Sequence, residues 1–154
     1  EFRKKLNIIV DGGKSKIGIE STVIDLTGKP KILRPGIISK NKINQILKVH
    51  LSKEKLKLKS PGMLKKHYSP GIPIYLNKNK CPDKYAFITF GKKYPVTRNS
   101  FNLSRKSNLN EAARNLYKFF RSIKKKGYKK IYVTKVPNTG IGIAINDRLK
   151  RASK

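Results

Sequence analysis

Three things are scarce in this sequence: cysteine, acidic side chains and long apolar runs. Cys81 is the single cysteine among 154 residues, so no intrachain disulfide can form, and a protein of a reducing compartment is the default expectation. No apolar run approaches the roughly 20 residues that a membrane-spanning helix needs. We therefore expect a cytoplasmic protein with no membrane partner, rather than a disulfide-rich secreted domain.

Acidic residues number eight against 38 Lys and Arg, which gives a formal net charge of +30. Eight of these cations are arginine and the remaining 30 are lysine. Lysine is a hydrated point charge, whereas sites that hold phosphate or bases in bidentate geometry favour arginine. Two interpretations stay open: the excess is an electrostatic footprint for an anion such as RNA, or it is lysine-rich surface composition without a function. The lysines are spread over nearly every segment, which slightly favours the second.

The first third of the chain is predicted to contain three short strands and one helix. The strands cover residues 6–10, 17–25 and 31–34, each apolar or β-branched and each followed by a glycine or proline turn. Ser39 is placed to cap a helix that runs to Leu47 with one apolar face.

The rest of the chain divides into a linker and a small α/β unit. Residues 50–73 are rich in lysine and proline and predict an irregular linker. Beyond it, strands are predicted over 85–90 and 130–135, and helices over 109–123 and 141–152. The order strand, helix, strand, helix favours a parallel sheet.

Several polar motifs could carry chemistry, and each has a structural alternative. Asp11-Gly12-Gly13-Lys14-Ser15 resembles a phosphate-binding turn, but the glycine spacing of a phosphate loop is not met and a hairpin turn is favoured. Arg34, at a strand end, could bind an anion or form a surface ion pair. Gly140-Ile141-Gly142 lacks the third glycine of a dinucleotide turn, so close packing is favoured. His67 has only His50 as a second histidine, which argues against a histidine metal centre.

Taken together and in order, these and neighbouring motifs are similar to one enzyme family. In the first half the motifs are Asp11-Gly12-Gly13, Gly18-Ile19-Glu20-Ser21-Thr22-Val23-Ile24-Asp25, Ile32-Leu33-Arg34-Pro35-Gly36, Ser60-Pro61-Gly62-Met63 and His67-Tyr68-Ser69-Pro70. In the second half they are Asn110-Glu111-Ala112-Ala113, Gly140-Ile141-Gly142 and Ala144-Ile145-Asn146-Asp147-Arg148-Leu149. On these residues the chain resembles, over essentially its whole length, the threonylcarbamoyl-AMP synthase family in its two-domain form.

The resemblance implies an α/β fold in three parts. Residues 1–49 would be the C-terminal part of a YrdC-like catalytic domain with a twisted sheet, residues 50–73 a linker or lid, and residues 74–154 a small Rossmann-like α/β domain. Family members carry most of the YrdC-like domain, including a basic motif and a Ser-x-Asn stretch at the nucleotide site, upstream of the segment that begins here. We therefore expect a C-terminal fragment of a longer product, inactive by itself.

The resemblance also implies a reaction. Such enzymes are nucleotidyltransferases that combine L-threonine, bicarbonate and ATP, with Mg²⁺, into threonylcarbamoyl-AMP and pyrophosphate. Threonylcarbamoyl-transferase proteins then modify tRNA. Carried over by motif, Ser21 would bind threonine, and Arg34 and Tyr68 would bind ATP; no catalytic residue or metal ligand is assigned. Two alternatives stay open: a non-enzymatic basic RNA-binding module, and an inactive remnant of the synthase.

Overall fold

The computed structural model describes residues 6–13, 15–47 and 68–154 and shows an α/β protein with two separate sheets. No helix within these ranges is both long enough and apolar enough to cross a membrane. In chain order the elements are β1 (Val23–Asp25), β2 (Lys31–Arg34), α1 (Lys40–Leu47), β3 (Ile74–Tyr75), β4 (Ala86–Thr89), β5 (Ser100–Asn102), α2 (Leu109–Lys125), β6 (Ile131–Val133) and α3 (Gly142–Ala152).

The N-terminal part forms an antiparallel pair of strands followed by a helix. β1 and β2 pair with Ile24 opposite Ile32. The backbone N–H of Lys42 donates to Ser39 Oγ at 3.3 Å, which confirms the predicted N-cap of α1. The strand predicted over residues 17–25 covers only Val23–Asp25, and Gly18 has a φ of +73°, a conformation incompatible with an extended strand at that residue.

The strand predicted over residues 6–10 is wrong. These residues are irregular, and the side chain of Val10 is 88% exposed. A strand needs a neighbour for its backbone N–H and C=O groups, and the described residues pair no strand with this segment. An apolar run alone therefore did not produce a strand here.

The C-terminal part is built on a four-stranded sheet with the order β3-β6-β4-β5. All three pairings are parallel, with Ile88 opposite both Val133 and Phe101, which confirms the predicted parallel sheet. β3 and β5 were not predicted, because strands of two and three residues carry too little periodicity to be recognised. The boundaries 1–49, 50–73 and 74–154 stay predictions, and residues 50–67 of the linker lie outside the described residues.

One apolar cluster joins the sheet, α2, α3 and a residue from the N-terminal part. Ile19 reaches into this cluster from the N-terminal segment, so the two parts of the chain share a core. α2 begins at its cap Asn108, whose side chain accepts a hydrogen bond from the Glu111 N–H, and it ends before Gly127, as predicted. The main helical and sheet members are Ala112, Ala113, Leu116, Phe120, Ile123, Ile88, Ile131, Val133, Ile145 and Leu149.

The start of α3 packs closely against the loop before it. A Cβ atom at Gly142 would lie 2.0 Å from the carbonyl oxygen of Pro137. Glycine at this position therefore serves close packing, against the loop after β6 rather than against a strand.

We expect Gly142→Ala to lower the melting temperature by about 3–10 °C, because the added methyl group must displace the Pro137 carbonyl. Gly28→Ala is the matched control, since a Cβ atom at Gly28 would meet nothing within 4 Å. Thermal unfolding followed by circular dichroism measures both. Equal melting temperatures for the two variants would contradict the close approach.

Candidate functional site

Two of the predicted site residues, Ser21 and Arg34, are in direct contact across the β1–β2 pair. Arg34 Nε donates to the carbonyl oxygen of Ser21 at 3.1 Å, and Arg34 Nη2 donates to Ser21 Oγ at 3.3 Å. A guanidinium has five N–H donors, and these two bonds use two of them while fixing its plane. The arrangement presents a hydroxyl, two residues before β1, and an oriented cation, at the end of β2, side by side.

The turn after β2 passes directly over Ser21. A Cβ atom at Gly36 would lie 2.2 Å from the backbone nitrogen of Thr22 and 2.4 Å from the carbonyl carbon of Ser21. The Thr22 hydroxyl also donates to the carbonyl oxygen of Ile38 at 2.8 Å. Gly36 of the Pro35-Gly36 motif therefore has a physical function, because only glycine permits this turn to lie against the Ser21 backbone.

Arg148 of α3 joins the C-terminal part to this site. Its side chain is completely buried, and Nε donates to Glu20 Oε2 at 3.0 Å. Its Nη1 donates to the carbonyl oxygen of Pro35 at 2.6 Å and to Asp147 Oδ2 at 3.1 Å. The Tyr117 hydroxyl of α2 donates to Glu20 Oε1 at 3.0 Å.

These contacts fix the backbone on both sides of the candidate site. Glu20 precedes Ser21 in the chain, and Pro35 follows Arg34. Because Arg148 binds both Glu20 and Pro35, a single buried guanidinium sets the distance between the two strands at the point where the Ser21–Arg34 pair forms.

The network holds its groups in their ordinary charge states. Burial alone would raise the pKa of Glu20, but hydrogen bonds from its own backbone N–H, from Arg148 and from Tyr117 outweigh it and place this pKa below the ordinary value. Burial would lower the pKa of Arg148, yet the hydrogen bond to Glu20 and nearby groups raise it. Burial, followed by the Glu20 charge, raises the pKa of Tyr117. At neutral pH the network is therefore a carboxylate, a guanidinium and a neutral phenol.

Tyr68, the third predicted residue, lies on this network rather than on the Ser21–Arg34 pair. The centre of its ring is 5.2 Å from the Arg148 guanidinium carbon and 5.9 Å from the Tyr117 ring. Its backbone φ of +74° is unusual for a residue with a bulky side chain and costs about 1–3 kcal/mol, which the surrounding packing must offset. The rest of the predicted lid motifs, Ser60-Pro61-Gly62-Met63 and His67, and also His50, lie outside the described residues.

The turn at Asp11 and the single cysteine, Cys81, lie apart from this network. Asp11 Oδ1 accepts a hydrogen bond from the Gly13 N–H at 2.8 Å, which makes a local turn without a strand on either side in the described residues; Lys14 lies outside them. Burial, and then the nearby Asp83 carboxylate, raise the pKa of Cys81 to about 11. Its thiol is therefore protonated at neutral pH and is a poor nucleophile.

No function was predicted from the sequence for Arg148, Glu20 or Tyr117. One signal was present: Arg148 falls on the apolar face of α3, three residues after Ile145 and four after Ala144. An arginine within the apolar stripe of a helix is either at the edge of the core or paired inside it. Its partner Glu20 is 128 positions away, so no local pattern could have indicated the pair.

The sequence matches a family model over most of its length. That model describes the C-terminal domain of threonylcarbamoyl-AMP synthase and matches residues 38–154. The chain belongs to the threonylcarbamoyl-AMP synthase family. A synthase from Pyrococcus abyssi is 33% identical to it over 99% of this chain and 51% of its own length. One from Bacillus subtilis is 31% identical over 94% of this chain and 48% of its own length.

The chain thus spans about half the length of the synthases it matches. Among solved structures, the crystal structure of P. abyssi Sua5 complexed with L-threonine resembles it with a TM-score of 0.80 at 29% identity, over 99% of this chain and 51% of that one. The likeness confirms the predicted α/β fold class and the family resemblance. The roles of Ser21, Arg34 and Tyr68 stay predictions.

A double-mutant cycle tests whether the Glu20–Arg148 ion pair holds the N-terminal segment against α3. Arg148→Met removes the guanidinium and leaves a carboxylate that is only 33% exposed. We expect the free energy of unfolding to fall by about 3 kcal/mol, at the lower end for a buried pair because Glu20 reaches solvent. Adding Glu20→Gln removes the second charge and should restore part of the loss.

Denaturant unfolding of the wild type, both single variants and the double variant gives the coupling free energy. Arg105→Met changes an exposed arginine beyond β5 and serves as the control, expected within about 0.5 kcal/mol of the wild type. A coupling free energy near zero would show that the ion pair does not join the two parts.

The lowered pKa of Glu20 predicts a dependence of stability on pH. A carboxyl group whose pKa is lower in the folded state stabilises the protein above its unfolded-state pKa, and this contribution is lost as the pH falls through the folded-state value. The stability difference between wild type and Glu20→Gln should therefore be complete above the ordinary value of 4.5 and shrink below it. Urea unfolding from neutral pH to about pH 3 measures this. A difference that stays constant over the range would contradict the assignment.

Proposed function

We propose that residues 15–47 and 68–154 form one wall of a site in which threonylcarbamoyl-AMP is made from L-threonine, bicarbonate and ATP. The observation that carries the proposal is the hydrogen bonding of Arg34 to Ser21 at the end of the β1–β2 pair, within a chain of the threonylcarbamoyl-AMP synthase family. The chain acts as the C-terminal half of a synthase, and the rest of the nucleotide site comes from the other part of the YrdC-like domain.

In the proposed reaction the threonine nitrogen attacks the bicarbonate carbon, and loss of water gives a carbamate. A carbamate oxygen then attacks the α-phosphorus of ATP, and the bond from that phosphorus to the β-phosphate oxygen breaks to release pyrophosphate. Negative charge accumulates on the phosphate oxygens during this step, so the site needs cations and oriented donors there. Arg34 supplies such a cation, held in a fixed plane.

The Ser21–Arg34 contact connects the two substrates. Because Ser21 Oγ accepts from Arg34 Nη2, its own O–H is directed away from the guanidinium and can donate to the threonine carboxylate. Arg34 can use its remaining N–H groups on phosphate or ribose oxygens of ATP. The relative from P. abyssi was solved complexed with L-threonine, which supports threonine as a ligand of this site.

Tyr68 is the first described residue of the proposed lid, and it anchors this end of the lid to Arg148. Its ring rests on the Arg148 guanidinium, so the lid would close over the site from this fixed end, and contact of Tyr68 with ATP stays a prediction. Closure excludes water, and both the carbamate and the mixed anhydride of the product are readily hydrolysed. We propose the lid as the element that protects them.

Magnesium is expected to enter with the phosphates of ATP. The described residues contain no group of three His, Cys, Asp or Glu side chains that could hold a metal ion, so they do not fit a site made by protein ligands alone. No step is assigned to the ion. Transfer of the threonylcarbamoyl group to tRNA by partner proteins, and a cytoplasmic location, follow from the same proposal.

The proposal is tested by pyrophosphate release in the longest translation product that contains these 154 residues. We expect release from ATP that requires both threonine and bicarbonate. The 154 residues alone should give none, because they span only about half the length of the related synthases. Release no higher than in a control without threonine would overturn the assignment, and no release under any condition would favour an inactive remnant of the synthase.

Arg34→Ala in the same protein should raise the KM for ATP by about tenfold or more, because it removes a charged hydrogen-bond donor to the nucleotide. Arg105→Ala, at an exposed position beyond β5, is the matched control and should leave the KM unchanged. Ser21→Ala should raise the KM for threonine more than that for ATP. If Arg34→Ala and Arg105→Ala behave alike, Arg34 does not bind the nucleotide.

A further inference from the structure

A cavity of about 400 Å³ lies at the carboxyl edge of the four-stranded sheet, where the strands end. Its walls come from the segment after β3, the segment after β6 and the second half of α3, and each of the three contributes one apolar residue and at least one polar residue. Small ligands of open α/β sheets bind outside the carboxyl ends of the strands. The cavity is therefore placed and sized for a small molecule.

Thr134 gives this cavity a buried polar group without a partner. The residue follows β6, lines the cavity and is 2% exposed. Its backbone N–H donates to the Ile88 carbonyl oxygen at 2.9 Å, which fixes its position, but its Oγ1 makes no hydrogen bond within the described residues. A buried hydroxyl without a partner destabilises a fold. In the wall of a cavity it indicates a bound molecule that completes the hydrogen bond.

Lys135 and Lys150 make the cavity positive. Both line it, and both are exposed. Its lining within the described part of the chain contains no acidic residue. Asp147, the acidic residue of α3, pairs with Arg148 and Arg151 instead. Two ammonium groups without a carboxylate favour a ligand that carries about two negative charges.

Asparagine side chains supply neutral hydrogen-bonding groups beside these lysines. Asn146 Nδ2 donates to the Val136 carbonyl oxygen at 3.1 Å and to Asn138 Oδ1 at 3.2 Å. These bonds orient both amides, and within the described ranges they leave Asn146 Oδ1 and Asn138 Nδ2 for a ligand. Asn146 and Lys150 are four residues apart on one face of α3, so an amide and an ammonium group can contact the same molecule.

We propose that this cavity binds the phosphate monoester of a small polar molecule, such as a sugar phosphate. A phosphate monoester carries about two negative charges and three acceptor oxygens at neutral pH, which match the two lysines and the Thr134 hydroxyl. Lysine binds phosphate as a point charge and needs no bidentate geometry. The amides of Asn138 and Asn146 bind hydroxyl groups of the remainder. The site uses none of the residues assigned to the synthase reaction.

Isothermal titration calorimetry of the 154-residue chain with ribose 5-phosphate tests the proposal. We expect a dissociation constant below about 1 mM. Ribose and inorganic phosphate should each bind about tenfold more weakly or less, because each carries only part of the recognised chemistry.

The two lysines are tested against a matched pair at the same edge of the sheet. Lys135→Gln/Lys150→Gln should weaken binding of ribose 5-phosphate about tenfold or more. Lys92→Gln/Lys93→Gln makes the same charge change at exposed positions after β4 that do not line the cavity. This control should change the affinity less than about twofold.

Thr134→Val has two readouts. It replaces the hydroxyl by a methyl group of similar shape, so binding should weaken about fivefold while the melting temperature stays equal or rises. Thr89 is 1% exposed and its Oγ1 is also without a partner in the described part, but it does not line the cavity. Thr89→Val is therefore the matched control and should leave the affinity unchanged.

Several results would overturn the proposal. They are equal losses in the two lysine pairs, unchanged affinity in Thr134→Val, and no heat of binding with ribose 5-phosphate at about 10 mM. A lower melting temperature of Thr134→Val would show that its hydroxyl has a structural partner, and would count against the site. Tighter binding of succinate than of ribose 5-phosphate would overturn the phosphate monoester in favour of a dicarboxylate, and equal affinity for inorganic phosphate would overturn it in favour of a simple anion site.

Discussion

The buried guanidinium of Arg148 is the constraint on which the candidate site depends. A guanidinium is tolerated away from water only where carboxylates and carbonyls surround it, and here they come from three places: Glu20, Pro35 and Asp147. Its Nη2 is buried without a hydrogen-bond partner in the described part of the chain, and the Tyr68 ring covers the group instead. The N-terminal segment, the turn after β2 and α3 must therefore keep one relative position.

This constraint connects the Ser21–Arg34 pair to the proposed lid. The Ser21–Arg34 contact lies between the two backbone positions that Arg148 holds, and the described end of the lid rests on the same side chain. Gly18 adds a close approach, since a Cβ atom there would lie 2.4 Å from the Arg114 Cα of α2. Under the proposed function, the C-terminal part of the chain would act through geometry, by fixing the strands next to Ser21 and Arg34.

Features that depend on residues close together in the chain were predicted from the sequence, whereas features that depend on distant residues were not. α2 with its apolar face and Gly127, the Ser39 cap and the parallel sheet were all predicted, and motif order identified the family. The strand over residues 6–10 was wrong, since an apolar run without a neighbouring strand stays irregular. Arg148 belongs to one of the family motifs, but its role was not predicted. The lysines are spread over nearly every segment of the sequence, yet the fold brings several of them to one edge of the sheet.

By itself the sequence determined the helices, the turn glycines, the net charge and the family. These follow from neighbours a few positions apart or from the order of motifs. Only the tertiary structure decided which charge meets which partner: Glu20 against Arg148 across 128 positions, and Lys84 beside Lys126 and Lys129. Such contacts depend on strand order, on the direction of the crossover helix and on burial. The chemical role of a side chain is therefore set by these long-range neighbours rather than by the residues next to it in the chain.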